Sequence, residues 1–179
     1  MNKNSRSQVE LRPTGSPRKL MASRLQRYDM SFVLDKLIAE GKIPAAKRSL
    51  VEREFKRFIA LVRAGVHPLA MIGPLVDEVW HQFILFTRQY RDFCNDTVGF
   101  FVSHQPDTPA TPVPQEAGEN FRAAYRRHFG PIPDIWYEGM NAETKHYYLQ
   151  PVLIGKPPTN WSGWAGPEEP ASSPGSRFN

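Results

Sequence analysis

Cysteine is what this chain has least of: Cys94 is the only one in 179 residues. A lone thiol excludes an internal disulfide and any zinc site built from paired cysteines, and it suits a reducing, cytoplasmic setting. Long apolar runs are missing as well. None approaches the roughly 20 residues of a membrane-spanning helix, so no membrane role is expected. The first stretch, MNKNSRSQVELRPTGSPRKL, lacks the apolar core of a secretory signal and the amphipathic period of a transit peptide. A Walker loop, a dinucleotide fingerprint, a nucleophile elbow and a zincin helix are all absent, so the standard enzyme classes have no motif behind them.

Positive charge is present but confined. Residues 1–27 hold seven basic side chains against one acid, Glu10, while the whole chain carries a net +5, so the remainder sums to −1. A folded nucleic-acid-binding domain carries its own basic face, and the body here is nearly neutral. Nucleic-acid contact, weak and salt-dependent, is therefore open only to residues 1–27. Pro13, Gly15 and Pro17 break any period there, and the stretch reads as a disordered basic leader.

From residue 29 the pattern becomes helical. Phe32, Val33, Leu37 and Ile38 share a face that stops at Gly41, and Pro44 opens a second segment with Leu50, Val51, Phe55, Phe58, Ile59 and Val62 as its stripe. Pro74 then opens a long helix, expected over residues 75–96. An extended run follows at GFFVSHQP, then a proline-rich loop, a helix over ENFRAAYRRHF, and a short helix at residues 142–149. From Pro157 onward Pro, Gly and Ser dominate, with Trp161 and Trp164 as the hydrophobic anchors. The expected fold is all-α: a compact bundle of four to five helices over residues 28–150 with one short extended return segment. A basic leader (1–27) and a Pro/Gly/Ser-rich tail (151–179) flank it.

On an unbroken helix over 75–96, steps of about 100° place Trp80, Phe83, Ile84, Thr87, Tyr90 and Cys94 on one core-facing side, with Phe86 and Phe93 at its edge. Cys94 sits inside that stripe and reads as a small hydrophobe. Asp77 and His81, at i and i+4, meet at the margin of the face, where a carboxylate can orient an imidazole. Cys94 is about 20 Å of straight helix from His81 and cannot share an ion with it. His104 can. The helix from His81 to Asp96 runs about 22 Å, and the eight residues from there to His104 extend about 26 Å. An extended return therefore brings His104 level with His81, giving a cluster of Asp77, His81 and His104. Two imidazoles and a carboxylate form a common ligand set for a zinc or iron ion, and a common acid–base set too. His67, in the loop leading into the helix, is the expected fourth ligand if there is one.

Val76-Asp77-Glu78-Val79-Trp80-His81, followed by Tyr90, Phe93-Cys94, Gly99 and His104, resembles a group of bacterial proteins described as glycine-rich domain-containing protein-like. These are related to a domain of plant glycine-rich domain proteins. The resemblance spans roughly residues 76–106 and implies a domain rather than an activity. Two departures bear on ligand count. Phe83 stands where relatives often carry a second histidine, and Ser103 stands where they often carry a histidine pair with His104. The glycine-rich tail implied by the resemblance is faint here, in SGWAGPEEPASSPGS.

Three functional expectations follow. The first is a non-enzymatic protein-interaction module whose tail offers Trp161 and Trp164 to a protein partner, because exposed tryptophans are costly unless they dock. The second is a metal-binding protein or metal-dependent enzyme built on Asp77, His81 and His104. The third is weak nucleic-acid binding through the leader.

Overall fold

The computed structural model describes residues 21–114 and 116–150, together with the backbone of Trp164–Ala165. Among these residues there are seven α-helices: α1 (Ser23–Arg27), α2 (Ser31–Ala39), α3 (Arg48–Arg63), α4 (Pro74–Leu85), α5 (Thr87–Thr97), α6 (Glu116–Phe129) and α7 (Ala142–Leu149). Short 3-10 turns at Ala45–Lys47 and Asp134–Trp136 lead into or follow them. The all-α expectation holds. Three strands of two residues each, β1 (Leu69–Ala70), β2 (His104–Gln105) and β3 (Trp164–Ala165), pair antiparallel in the order β1-β3-β2. No helix among the described residues is long and apolar enough to cross a membrane.

Helix α4 is the centre of the bundle and packs on α2, α3, α5 and the turn at Asp134–Trp136. Its N-terminus is set by two small features. Pro74 takes the first helical position, where a missing N–H costs nothing. Gly73 before it lies so close to Trp136 that an added Cβ would stand 2.7 Å from the indole. The core around α4 is aromatic, with Phe55 and Phe58 of α3 set against Trp80 at 6.5 and 5.2 Å between ring centroids. Phe83, Tyr90 and Phe93 continue the cluster toward α5.

Two expectations are corrected. The helix over 75–96 is not continuous. Phe86 adopts φ −84°, ψ 60°, outside the helical region, and divides it into α4 and α5. The break re-aims everything beyond it, so Thr87, expected in the core stripe, is exposed, while Phe93, expected at the edge, is fully buried. Trp80, Phe83, Tyr90 and Cys94 are buried as expected, and Ile84 is half-buried. The second correction is to the leader. Residues 23–27 form α1, Leu25 is fully buried, and Lys56 of α3 donates to the carbonyls of Gln26 (3.2 Å) and Tyr28 (2.7 Å) at its end. One apolar residue in a five-residue helix makes no period, so this order is invisible until α3 is in place. Residues 1–20 lie outside the described residues.

A buried carboxylate that the sequence pattern did not single out ties α3 to the C-terminal half. Glu54 is wholly buried, and its Oε1 accepts from Arg53 (2.9 Å) and Arg57 (3.0 Å). Its Oε2 accepts from the indole N–H of Trp136 (2.9 Å) and from the hydroxyl of Tyr125. Four donors around one carboxylate offset the cost of removing it from water, and removing the carboxylate leaves the buried Trp136 N–H and Tyr125 O–H without their acceptor. Glu54→Ala is expected to lower stability by about 2–4 kcal/mol in urea unfolding, the cost of two buried donors losing their acceptor. The exposed Glu143→Ala should stay within about 0.5 kcal/mol of the parent.

Candidate metal centre

The return segment after α5 begins at Gly99, whose φ of 97° is open to glycine at no steric cost. Three residues on, Val102 is buried. Its carbonyl accepts from the Tyr90 hydroxyl at 2.5 Å, and that hydroxyl accepts from the Trp80 indole N–H at 2.8 Å. The relay runs from α4 through α5 to the returning chain, and it needs the break at Phe86. On a straight helix, residues 80 and 90 would stand about 15 Å apart. Burial pushes the Tyr90 hydroxyl well above the ordinary phenol range, so it stays protonated and able to donate.

Two residues beyond that anchor, His104 lands on the Trp80 ring, edge-on at 4.6 Å between centroids. Its Nε2–H donates to Asp77 Oδ1 at 3.1 Å. His81 brings Nδ1 to 3.3 Å from the other oxygen, Asp77 Oδ2, and the two imidazoles stand 4.5 Å apart. One donor atom from each of Asp77, His81 and His104 lies within 4.8 Å of the other two. The expected convergence of these three residues is what the fold produces.

Burial grades across the cluster and gives it a direction. The Asp77 side chain is 2% exposed and that of His104 3%, whereas His81 is 44% exposed. One side therefore faces the core and the other faces solvent through His81. The carboxylate sits in the first turn of α4, where the helix dipole favours negative charge. Asp77 still differs from Glu54. Glu54 collects two guanidiniums, whereas the charged-group partners of Asp77 among the described residues are both imidazoles.

The remaining candidates stand apart. Cys94 is buried among the aromatics, and burial raises its thiol pKa, away from the reactive thiolate. The straight-helix distance that excluded it from the cluster does not apply across the break at Phe86, but its thiol is not among the grouped donors. His67, the expected fourth ligand, is exposed and outside that group too. Trp161 lies outside the described residues, and for Trp164 the structure describes the backbone, in β3.

Fold and cluster together define a small helical domain in which a buried carboxylate on a central helix meets two imidazoles, one delivered by a returning strand. The chain matches the UCP032817-like family over residues 21–133 and belongs to that family. The matched span takes in α1, the relay and all three residues of the cluster. No curated protein and no solved structure matches the chain. The family description names neither an activity nor a glycine-rich domain, so the kinship expected from the motif gains no support from the match.

Tyr90→Phe deletes both bonds of the relay and leaves the Trp80 N–H and the Val102 carbonyl buried without a partner. It is expected to cost about 2 kcal/mol by chemical denaturation. It should also shift the ring resonances of His104, two residues from the lost anchor, in a proton–nitrogen spectrum.

Proposed function

We propose that this domain binds a single divalent transition-metal ion through Asp77, His81 and His104. The observation that carries the reading is the contrast between the two buried carboxylates. Glu54 is charge-balanced by arginines, while Asp77, equally buried, meets two imidazoles and has no arginine or lysine partner among the described residues. A divalent cation among the three supplies the missing positive charge. The distances support this. His104 Nε2 stands 3.1 Å from Asp77 Oδ1 and His81 Nδ1 3.3 Å from Asp77 Oδ2, and an ion that displaces the Nε2 proton can be reached by one donor of each residue. Imidazole with carboxylate suits zinc or non-haem iron.

Three protein ligands leave coordination positions open, and His81 puts those positions toward solvent. Structural zinc sites are closed by four protein ligands, whereas sites that bind water or an exogenous ligand keep one position free. The proposed ion is therefore of the accessible kind, able to carry a water or a small anion. We place this above the interaction module expected from Trp161 and Trp164, because the cluster is a set of atomic distances within the family-matched region. A cytoplasmic setting, expected from the lone cysteine, accompanies the proposal.

Protein purified without a polyhistidine tag should carry close to one equivalent of zinc or iron by elemental analysis. A content below about one-tenth equivalent, unrepaired by adding either ion, sinks the reading. Asp77→Ala and His104→Ala should abolish binding. Ion at about 100 times its dissociation constant should add about 2.7 kcal/mol to the parent's stability and nothing to either variant's. Affinity should fall as pH drops, because protons compete for the imidazoles.

A further inference from the structure

Two limbs of backbone carry the cluster, and a third short segment joins them. The first limb is β1, fully buried at Leu69 and Ala70, which leads directly into α4 and Asp77. The second is the return segment, where β2 itself contains His104. These strands do not pair with each other. β3 lies between them, with Ala165 opposite both Leu69 and His104, and Trp164 opposite both Ala70 and Gln105.

We propose that the Trp164–Ala165 strand is a strap that holds His104 in place and so sets the ion affinity of the cluster. The proposal rests on the metal reading of Asp77, His81 and His104. The return segment has two backbone holds. The inner one, Tyr90 on the Val102 carbonyl, is buried within the helical core. The outer one is β3, acting on the histidine-bearing residue itself. A pair of residues makes a marginal strand on its own, so this outer hold is the detachable one. With it engaged, the His104 backbone is tied to the limb that leads to Asp77. With it released, the inner hold at Val102, the Asp77 bond and the ring contacts with Trp80 and His81 remain to position the imidazole. By linkage, an ion that binds more tightly with the strap engaged also tightens the strap, and a protein that captured the tail around Trp164 would weaken ion binding by the same factor.

The test uses the full-length chain carrying Trp164→Pro and Ala165→Pro, which leaves the strand no N–H to donate. Zn2+ is titrated against a chromophoric chelator, and amide hydrogen exchange is followed at His104 and Gln105 in metal-free protein. The expected result is about tenfold weaker Zn2+ binding, the usual size of a lost outer hold on a ligand, with faster exchange at the one of these two amides that faces β3 and an unchanged melt of the helical core. Unchanged affinity with unchanged exchange overturns the strap. If neither protein binds Zn2+ but exchange quickens in the variant, the metal reading fails and takes the control of ion affinity with it, while the strap's hold on the His104 segment stands. If the parent binds Zn2+ and the variant matches it in affinity, the strap's control of the ion fails and the metal reading stands. Should the double change unfold the chain, Trp164→Pro and Ala165→Pro are made singly with the same readouts, since the N–H groups of the two residues face opposite neighbours and one of the two changes removes the donor toward β2.

Discussion

An indole N–H at the centre of an apolar core must find an acceptor, because leaving it unpaired costs more than a hydrogen bond returns. Trp80 finds the hydroxyl of Tyr90, and Tyr90 in turn donates to the carbonyl of Val102. Much of the domain's geometry follows from that requirement. The helix has to break at Phe86 so that Tyr90 can swing back toward Trp80. The chain after α5 has to return along α4 so that Val102 meets the hydroxyl. With Val102 anchored, the His104 ring has only two residues of freedom before it meets the Trp80 ring and the Asp77 carboxylate. Trp80 thus serves three purposes: it fills the core, starts the relay and provides the wall against which His104 rests.

The two buried carboxylates divide the work of the fold. Glu54 is an internal fastener, with donors from α3, α6 and the turn at Asp134–Trp136 converging on its two oxygens. Arg57 reinforces it by lying over the rings of Tyr125 and Phe129 at 5.8 and 5.1 Å. Asp77 is placed with equal care but left with imidazoles. In a low-dielectric setting such a group is stabilised by a cation. That difference in partners, more than the presence of an acid and two histidines, separates a candidate centre from a structural ion pair.

Much of this was legible in the chain. The amphipathic stripes of α2, α3 and α6 and the short helix α7 could be read from spacing, because apolar residues at i, i+3 and i+4 have few other uses. Asn141 caps α7 through the Thr144 N–H at 2.8 Å, a local bond that the sequence pattern did not single out. The candidates Asp77, His81 and His104 were legible too, but the helix rise used to bring His104 level with His81 assumed an unbroken helix, and the fold brings them together by way of the break at Phe86. That break was not legible. No proline or glycine marks it, and the residue is displaced by what its neighbours gain in the core. The Glu54 network was equally hidden, since a glutamate in a helix rich in Lys and Arg reads as part of a solvated face. The signal for it, Tyr125 and Trp136 with polar atoms in need of partners, lies 71 and 82 residues away.

The sequence by itself determined the helical class, the apolar faces, the near-neutral body and the small set of residues able to hold an ion, because each follows from local spacing or from composition. Tertiary structure alone decided which of those residues meet and which face solvent. It placed His81 outward and His104 inward, made Asp77 the carboxylate with imidazole partners, and set β3 between the two limbs of the cluster. These outcomes depend on buried polar groups finding partners across long stretches of chain, and no window of neighbouring residues contains both ends of such a bond.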